Sequence, residues 1–478
     1  MLIRIIIDFT CFIVTSILTI IFNLRNQFKG KVLSILIKNS FPTVAERLTL
    51  LKKLKSVIKQ HESAICEALY QDLRKPKFES MATETQFVLS ELSFIISNLK
   101  EWTKPEKVSG TLLNFPSKEY IYKQPYGRVL IFSPWNYPFQ LAISPLIGAI
   151  AAGNSVVLKP SEFSSHTSAI TKEILQKVFD IQFVTVIEGG PELAQQLLKQ
   201  QWDYIFYSGS TKIGREVYQA AAKNLTPVTL ELGGKSPCIV DETASIELAA
   251  KRIAWGKFVN AGQTCIAPDF IVVHESRKTA LVDALKKAIT KMYGENIQQS
   301  DDFARIIHKR HFERLTTLLQ NKTLIFGGQT DSETLYLAPT IVDAPNLDSA
   351  LMQEEIFGPI LPIIIYKFDK DLDVILKRYE NPLALYVFSN DKKFTEAILT
   401  NYSFGGSCVN DTLMHLTNKE LPFGGVGNSG IGSYHGKHSF NTFTHRKSIV
   451  KRGKLDIPLR YAPYQKVTKF ANWLSKFI

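Results

Sequence analysis

Between residues 126 and 208 the chain alternates short apolar runs with helix-like stretches, joined by connections of only a few residues. Val129-Leu130-Ile131-Phe132, Ser155 to Leu158, Phe183 to Ile187 and Tyr204 to Tyr207 read as strands. Residues 145–152, 165–178 and 191–199 read as the helices between them. Strand, helix, strand with short links predicts a parallel sheet covered on both faces, an α/β fold. In such sheets ligands bind beyond the carboxyl ends of the strands. That places Asn136, Lys159, Glu162 and Ser210 first among the polar residues to test. From Thr229 the alternation repeats, with helices over 245–260, 278–292 and 309–320 and strands over 270–273 and 361–367. Ahead of the sheet, apolar residues at helical spacing predict helices over 43–70 and 81–103.

Charge is distributed unevenly. The formal net charge is +13, yet residues 446–478 hold nine basic residues and one acid, Asp456. Residues 23–40 hold Arg25, Lys29, Lys31 and Lys38 and no acid. The body is near neutral, which argues against a nucleic-acid partner and points the two ends at an anionic membrane surface. Residues 5–22 are mostly Ile, Leu, Val and Phe, long enough to span a bilayer, though Asp8, Thr10, Thr15, Ser16 and Thr19 interrupt them. We expect a single N-terminal anchor, with a buried helix or a signal peptide as the other readings. The basic flank on its C-terminal side then keeps the body in the cytosol, on a membrane such as the endoplasmic reticulum. Val467, Phe470, Trp473, Leu474 and Phe477 share one helical face, with Lys466, Lys469 and Lys476 on others. This describes an interfacial helix, or one packed on the protein's own surface.

Five cysteines without close spacing exclude a zinc ribbon, a redox pair or a disulfide framework. Cys265 differs from the rest because Gly262 and small residues precede it, leaving its sulfur approachable. By itself that also fits an inert core thiol. Glu231 lies between leucines and is followed by Gly233-Gly234-Lys235. Apolar flanks raise a carboxyl pKa and glycines give it freedom to swing; a salt bridge to Lys235 is the plainer alternative. Gly209-Ser210-Thr211-Lys212-Ile213-Gly214 follows a strand and opens a helix, a setting that suits a pyrophosphate. A literal GxGxxG at Gly425, Gly427 and Gly430 lacks a clear preceding strand and a following acid. We read it as a loop near the site.

Seven segments in order resemble the aldehyde dehydrogenase superfamily. They are Phe132 to Phe139, Leu158 to Glu162, Tyr207 to Gly214, Leu230 to Pro237, Gly262 to Cys265, Glu354 to Pro359, and Leu421 to Gly436. The last, LPFGGVGNSGIGSYHG, resembles the class 3 branch, which includes the fatty aldehyde dehydrogenases. The resemblance runs from about residue 41 to 452. It implies a Rossmann-like cofactor domain, an α/β catalytic domain and a small oligomerisation arm. The expected divisions are 1–40 (anchor and basic flank), 41–229 (NAD(P) binding), 230–415 (catalysis), 416–452 (Gly-rich loop and arm) and 453–478 (basic amphipathic helix).

The resemblance also implies roles. Cys265 matches the nucleophile, Glu231 the general base and Asn136 a side chain that holds the oxyanion with the Cys265 N–H. Lys159 and Glu162 match contacts to the adenosine ribose, and Gly209 to Gly214 the pyrophosphate turn. Glu355 and Phe357 match contacts on the nicotinamide side. The implied reaction is oxidation of a lipid-derived aldehyde through a cysteine thiohemiacetal and thioester, with no metal. NAD is expected, with NADP also possible, and the implied assembly is a homodimer. Rival readings are a dehydrogenase for aromatic or short-chain aldehydes and a non-catalytic protein on the same fold.

Overall fold

The computed structural model describes residues 42–111 and 114–456, with 461–464, 468 and 475. The expected N-terminal anchor, and the expected amphipathic face at 467, 470, 473, 474 and 477, lie outside the described residues. Among the described residues no helix is long and apolar enough to cross a membrane.

A six-stranded sheet forms the first half. Its order is Gly430–Ile431, Val228–Glu231, Tyr204–Ser208, Arg128–Phe132, Ser155–Lys159, Val184–Val186. All neighbours are parallel except the first pair. Its strands Arg128–Phe132 and Tyr204–Ser208 are mostly apolar, as suits a sheet covered on both faces, and Tyr204–Ser208 is buried at every position. The chain starts at Arg128–Phe132, builds outward to Val184–Val186, then returns to lay Tyr204–Ser208 on the other side. That reversal opens a crevice between the carboxyl ends of Arg128–Phe132 and Tyr204–Ser208. Beneath lies the helix Gln140–Ala152, apolar nearly all round and closed by Gly153 at φ 105°.

The second half is a seven-stranded sheet in the order Leu324–Phe326, Thr340–Asp343, Ile360–Tyr366, Phe270–His274, Pro237–Val240, Ala384–Phe388, Gly406–Val409. Only its first pair is antiparallel. A third sheet, all antiparallel, joins Glu106–Val108, Ser117–Pro125 and Thr444–Arg452. Its outer strand, Thr444–Arg452, carries much of the basic charge read near the C-terminus.

Two long helices expected from periodicity are interrupted. The first divides at His61 into Val44–Gln60 and Glu62–Leu73. Its apolar face continues across the break, with Leu51, Leu54, Ile58, Ile65 and Leu69 all fully buried, so periodicity alone could not reveal it. The second starts as a π turn, Met81–Thr85, before the helix Gln86–Trp102. Ala82 and Thr83 of that turn reach the cavity described next.

Candidate active site

A cavity of ≈ 830 Å³ opens at the crevice and is walled by both large sheets. Cys265, Glu231, Asn136, Glu355 and Phe357 all line it, as do Gly209, Ser210, Thr211 and Lys212. Residues more than two hundred positions apart in the chain are thereby brought to one space.

Cys265 follows a stretch of unusual backbone. Asn260 (φ 53°), Ala261 (φ 51°) and Gly262 (φ 73°) are left-handed in succession. For the two residues with a Cβ this costs about 1–2 kcal/mol each, so surrounding contacts must hold it. At Gly262 a Cβ would stand 2.4 Å from the Gly358 oxygen, which makes glycine necessary there. Gln263 supplies much of the bracing. Its amide donates to the carbonyls of Asn260 (3.0 Å) and Arg305 (2.9 Å), and its Oε1 accepts the Ile307 N–H (3.0 Å). The Asn136 Nδ2 donates to the Gln263 carbonyl (3.0 Å), and the Asn260 Nδ2 donates to the Asn136 carbonyl (2.8 Å). Asn136 is thus tied directly to the loop that ends at Cys265.

The thiol is half-buried. Burial pushes its pKa up, and the Glu355 and Glu231 carboxylates push the same way. The backbone N–H groups of Cys265 and Ile266 aim at the sulfur and oppose this, but burial dominates. The thiol therefore rests protonated and calls for a base. Among the described residues it is the only cysteine lining the cavity. Cys66 and Cys238 are buried, and Cys408 sits 3.5 Å from His415 Nδ1.

Glu231 ends the strand Val228–Glu231. Its backbone carbonyl accepts the Gly209 N–H (2.9 Å), which fixes the main chain. Both of its carboxylate oxygens are buried without a partner. Burial alone drives its pKa well above the usual carboxylate range, as its leucine flanks suggest. The salt bridge to Lys235 does not form: Lys235 pairs with Asp269 at 2.5 Å and donates to the carbonyls of Leu351 and Glu354. That partner was not foreseeable from the local sequence.

The cofactor residues divide. Ser210 caps the helix Thr211–Ala222, accepting from the Ile213 N–H. Gly209 to Lys212 face the cavity, whereas Ile213 is exposed and Gly214 packs on Leu232. Lys159 and Glu162 pair with each other at 2.6 Å beyond the end of Ser155–Lys159, outside the cavity wall. Glu355 packs so closely on Gly233 that a Cβ there would meet its Oε2 at 1.9 Å, and its pKa is driven high by burial and Asp269. Phe357 (φ 55°) sets its ring 5.3 Å from Trp135, and its carbonyl takes a hydrogen bond from His311 Nε2 (2.8 Å). Ser208 Oγ is buried, lines the cavity and has no partner. Hydroxyls, backbone N–H groups and Lys212 at the start of a helix fit a diphosphate, so the residues present suit a dinucleotide.

The Gly-rich segment is no phosphate loop. Gly430 pairs antiparallel with Glu231, and a Cβ on it would stand 2.5 Å from the Leu230 oxygen. Gly430 thereby permits a close approach to the strand that carries Glu231. Phe423, Tyr434 and His435 then close the cavity from that side.

Residues 40–449 match the Aldehyde dehydrogenase family, and the chain belongs to it. It is an oxidoreductase that oxidises aldehydes with NAD or NADP. Among its relatives, 4,4'-diaponeurosporen-aldehyde dehydrogenase of Staphylococcus aureus is 51% identical over 429 residues, 89% of this chain and 94% of that one. Aldehyde dehydrogenase family 3 member A2 of Macaca fascicularis is 46% identical over 423 residues, 87% of each. The substrate-bound structure of Staphylococcus aureus AldH superposes with a TM-score of 0.89 at 49% identity, covering 91% of this chain and 95% of that one. The likeness to the family 3 member agrees with the class 3 resemblance of the Leu421 to Gly436 segment.

Proposed function

We propose that the enzyme oxidises medium- and long-chain aliphatic aldehydes to carboxylic acids, with Cys265 as nucleophile. An aldehyde releases hydride readily only once its carbon is tetrahedral. The Cys265 sulfur adds to that carbon and forms a thiohemiacetal. Asn136 Nδ2 and the Cys265 N–H, at the mouth of the braced loop, serve as donors to its oxyanion. Glu231, an unpartnered carboxyl of raised pKa, accepts the thiol proton in its ionised form, gives it up to solvent through the cavity, and then accepts a proton from the water that hydrolyses the thioester. When bound, NAD(P) supplies the hydride acceptor that turns the thiohemiacetal carbon into a thioester. Gly209 to Lys212, Glu355 and Phe357 would hold it, with Lys159 and Glu162 at the ribose end. NAD is the proposed cofactor, with NADP also accepted, since Lys159 offsets the charge of Glu162.

The observation that carries the chain-length reading is the cavity wall, which includes Phe87, Leu141, Trp255, Leu413, Leu416 and Phe423. An apolar wall favours substrates by the methylene, up to about 0.8 kcal/mol each. The membrane setting and the homodimer are further parts of this proposal. The apolar run 5–22 and the basic ends support the first, with the catalytic body facing the cytosol. The open edge of Thr444–Arg452 supports the second. NADH production with hexanal, hexadecanal, benzaldehyde and a 4,4'-diaponeurosporen aldehyde, with and without detergent, tests the substrate. We expect kcat/KM to rise at least tenfold from hexanal to hexadecanal. A flat series, or preference for benzaldehyde, replaces this reading with that of a dehydrogenase for short or aromatic aldehydes.

A further inference from the structure

The head of the nucleophile loop is braced by a carboxylate from a distant helix. Glu79, on the short helix Lys77–Ser80, accepts the Asn260 N–H through its Oε2 at 3.0 Å. Asn260 is the first of the three left-handed residues, and its side chain holds both the Asn136 and the Gln263 carbonyls. An amide at the head of a strained turn is where one acceptor can hold the whole turn. We propose that Glu79 is a positioning residue: its carboxylate pins Asn260 and so fixes the placement of Asn136 and Cys265.

The inference rests on the roles just given to Asn136 and Cys265. The geometry marks the contact as selective. Lys75, the lysine whose charge acts on Glu79, is committed to Glu84 at 2.6 Å and lies 3.9 Å over the Tyr137 ring. Tyr137 in turn bonds Thr264 Oγ1 (2.7 Å), so the far side of the loop is held as well. The groups facing Glu79 are Lys75 from its own segment, Asp302, the Asn260 N–H, and the hydroxyls of Tyr137 and Tyr293. Burial and Asp302 raise its pKa to about 7, while Lys75 and the Asn260 N–H pull it down. Across neutral pH the brace therefore changes from a neutral acceptor to a charged one, and a charged acceptor binds an N–H about twice as strongly.

Glu79→Gln keeps an acceptor oxygen but cannot ionise. At pH 8.5 we expect its kcat to fall roughly tenfold, to the level the unmutated enzyme shows on its acid side. The rise between pH 6 and 8 should flatten, and KM for NAD should not change. A merely structural role would lower the melting temperature and leave the shape of the pH profile intact. Should the variant not fold, amide hydrogen exchange on the unmutated enzyme answers the question. Protection of the Asn260 amide should increase as pH rises through 7, relative to the core amide of Val272. An unaltered profile in Glu79→Gln, or pH-independent protection at Asn260, overturns the proposal. Exchange at Asn260 requires no turnover, so this result is separate from any failure of the Cys265 assignment.

Discussion

Cys265 and Glu231 line one cavity and are held in opposite ways. The cysteine ends a loop in which the Gln263 side chain has every polar group bonded and Asn136 and Asn260 are tied to each other. The glutamate has a main chain locked in a sheet and a side chain with neither oxygen partnered. The difference matches two kinds of work. A nucleophile must meet a carbon within a few tenths of an ångström, and a misplacement of 1 Å can cost about 10²-fold in rate. A proton carrier must reach more than one atom and have a pKa near the working pH. Hydrogen bonds that fix the first task would spoil the second.

Two substitutions, read in three measurements, put the contrast at risk. The largest effect belongs to Cys265→Ala, expected to lower turnover by roughly 10⁶-fold, the scale seen when an enzyme loses its nucleophile. Binding of NAD, followed by fluorescence quenching, should survive because the cofactor residues are untouched. A variant with near-normal dehydrogenase rate would remove the sulfur from the mechanism. Glu231→Gln comes next, with a loss of about 10²–10⁴ in steady-state rate. Rapid mixing with aldehyde should show thioester formation, read as the NADH burst, and thioester hydrolysis both slowed in it, and an unchanged burst rate would assign the thiol proton to another base.

The smallest effect is on stability. The folded pKa of Glu231 lies above its unfolded value, so its contribution is fully present below about pH 4.3 and is lost as pH rises toward the folded pKa. Glu231→Gln removes that loss. Its melting temperature relative to the unmutated enzyme should therefore be more favourable at pH 8 than at pH 5, by roughly 1–4 °C. A difference that does not change with pH would mean that Glu231 is less isolated than its two unpartnered oxygens indicate.

Much of the site was legible because its signals are local. Short apolar strands with polar residues just past their ends marked Asn136 and Ser210, and the glycines around Glu231 and Cys265 marked both. Other features were hidden by distance. Glu79 meets Asn260 across 181 positions, and Lys235 meets Asp269 across 34. Neither pairing alters local periodicity. The turn Gly209 to Gly214 reads as one motif, yet helix geometry points its residues in different directions and only the first four line the cavity. The Gly-rich run at 425–430 matched a phosphate motif by letters, while Gly430 packs against the Leu230 carbonyl and Gly425 against Ser429.

The order of residues along the chain determined by itself the α/β alternation, the strand ends and the identities of thiol, carboxyl and amide, since each depends on patterns a few residues long. Only the tertiary structure decided which groups are partnered and which are left bare in the cavity. Burial and hydrogen-bond satisfaction depend on every element packed around a side chain, and most of those elements come from far away in the chain.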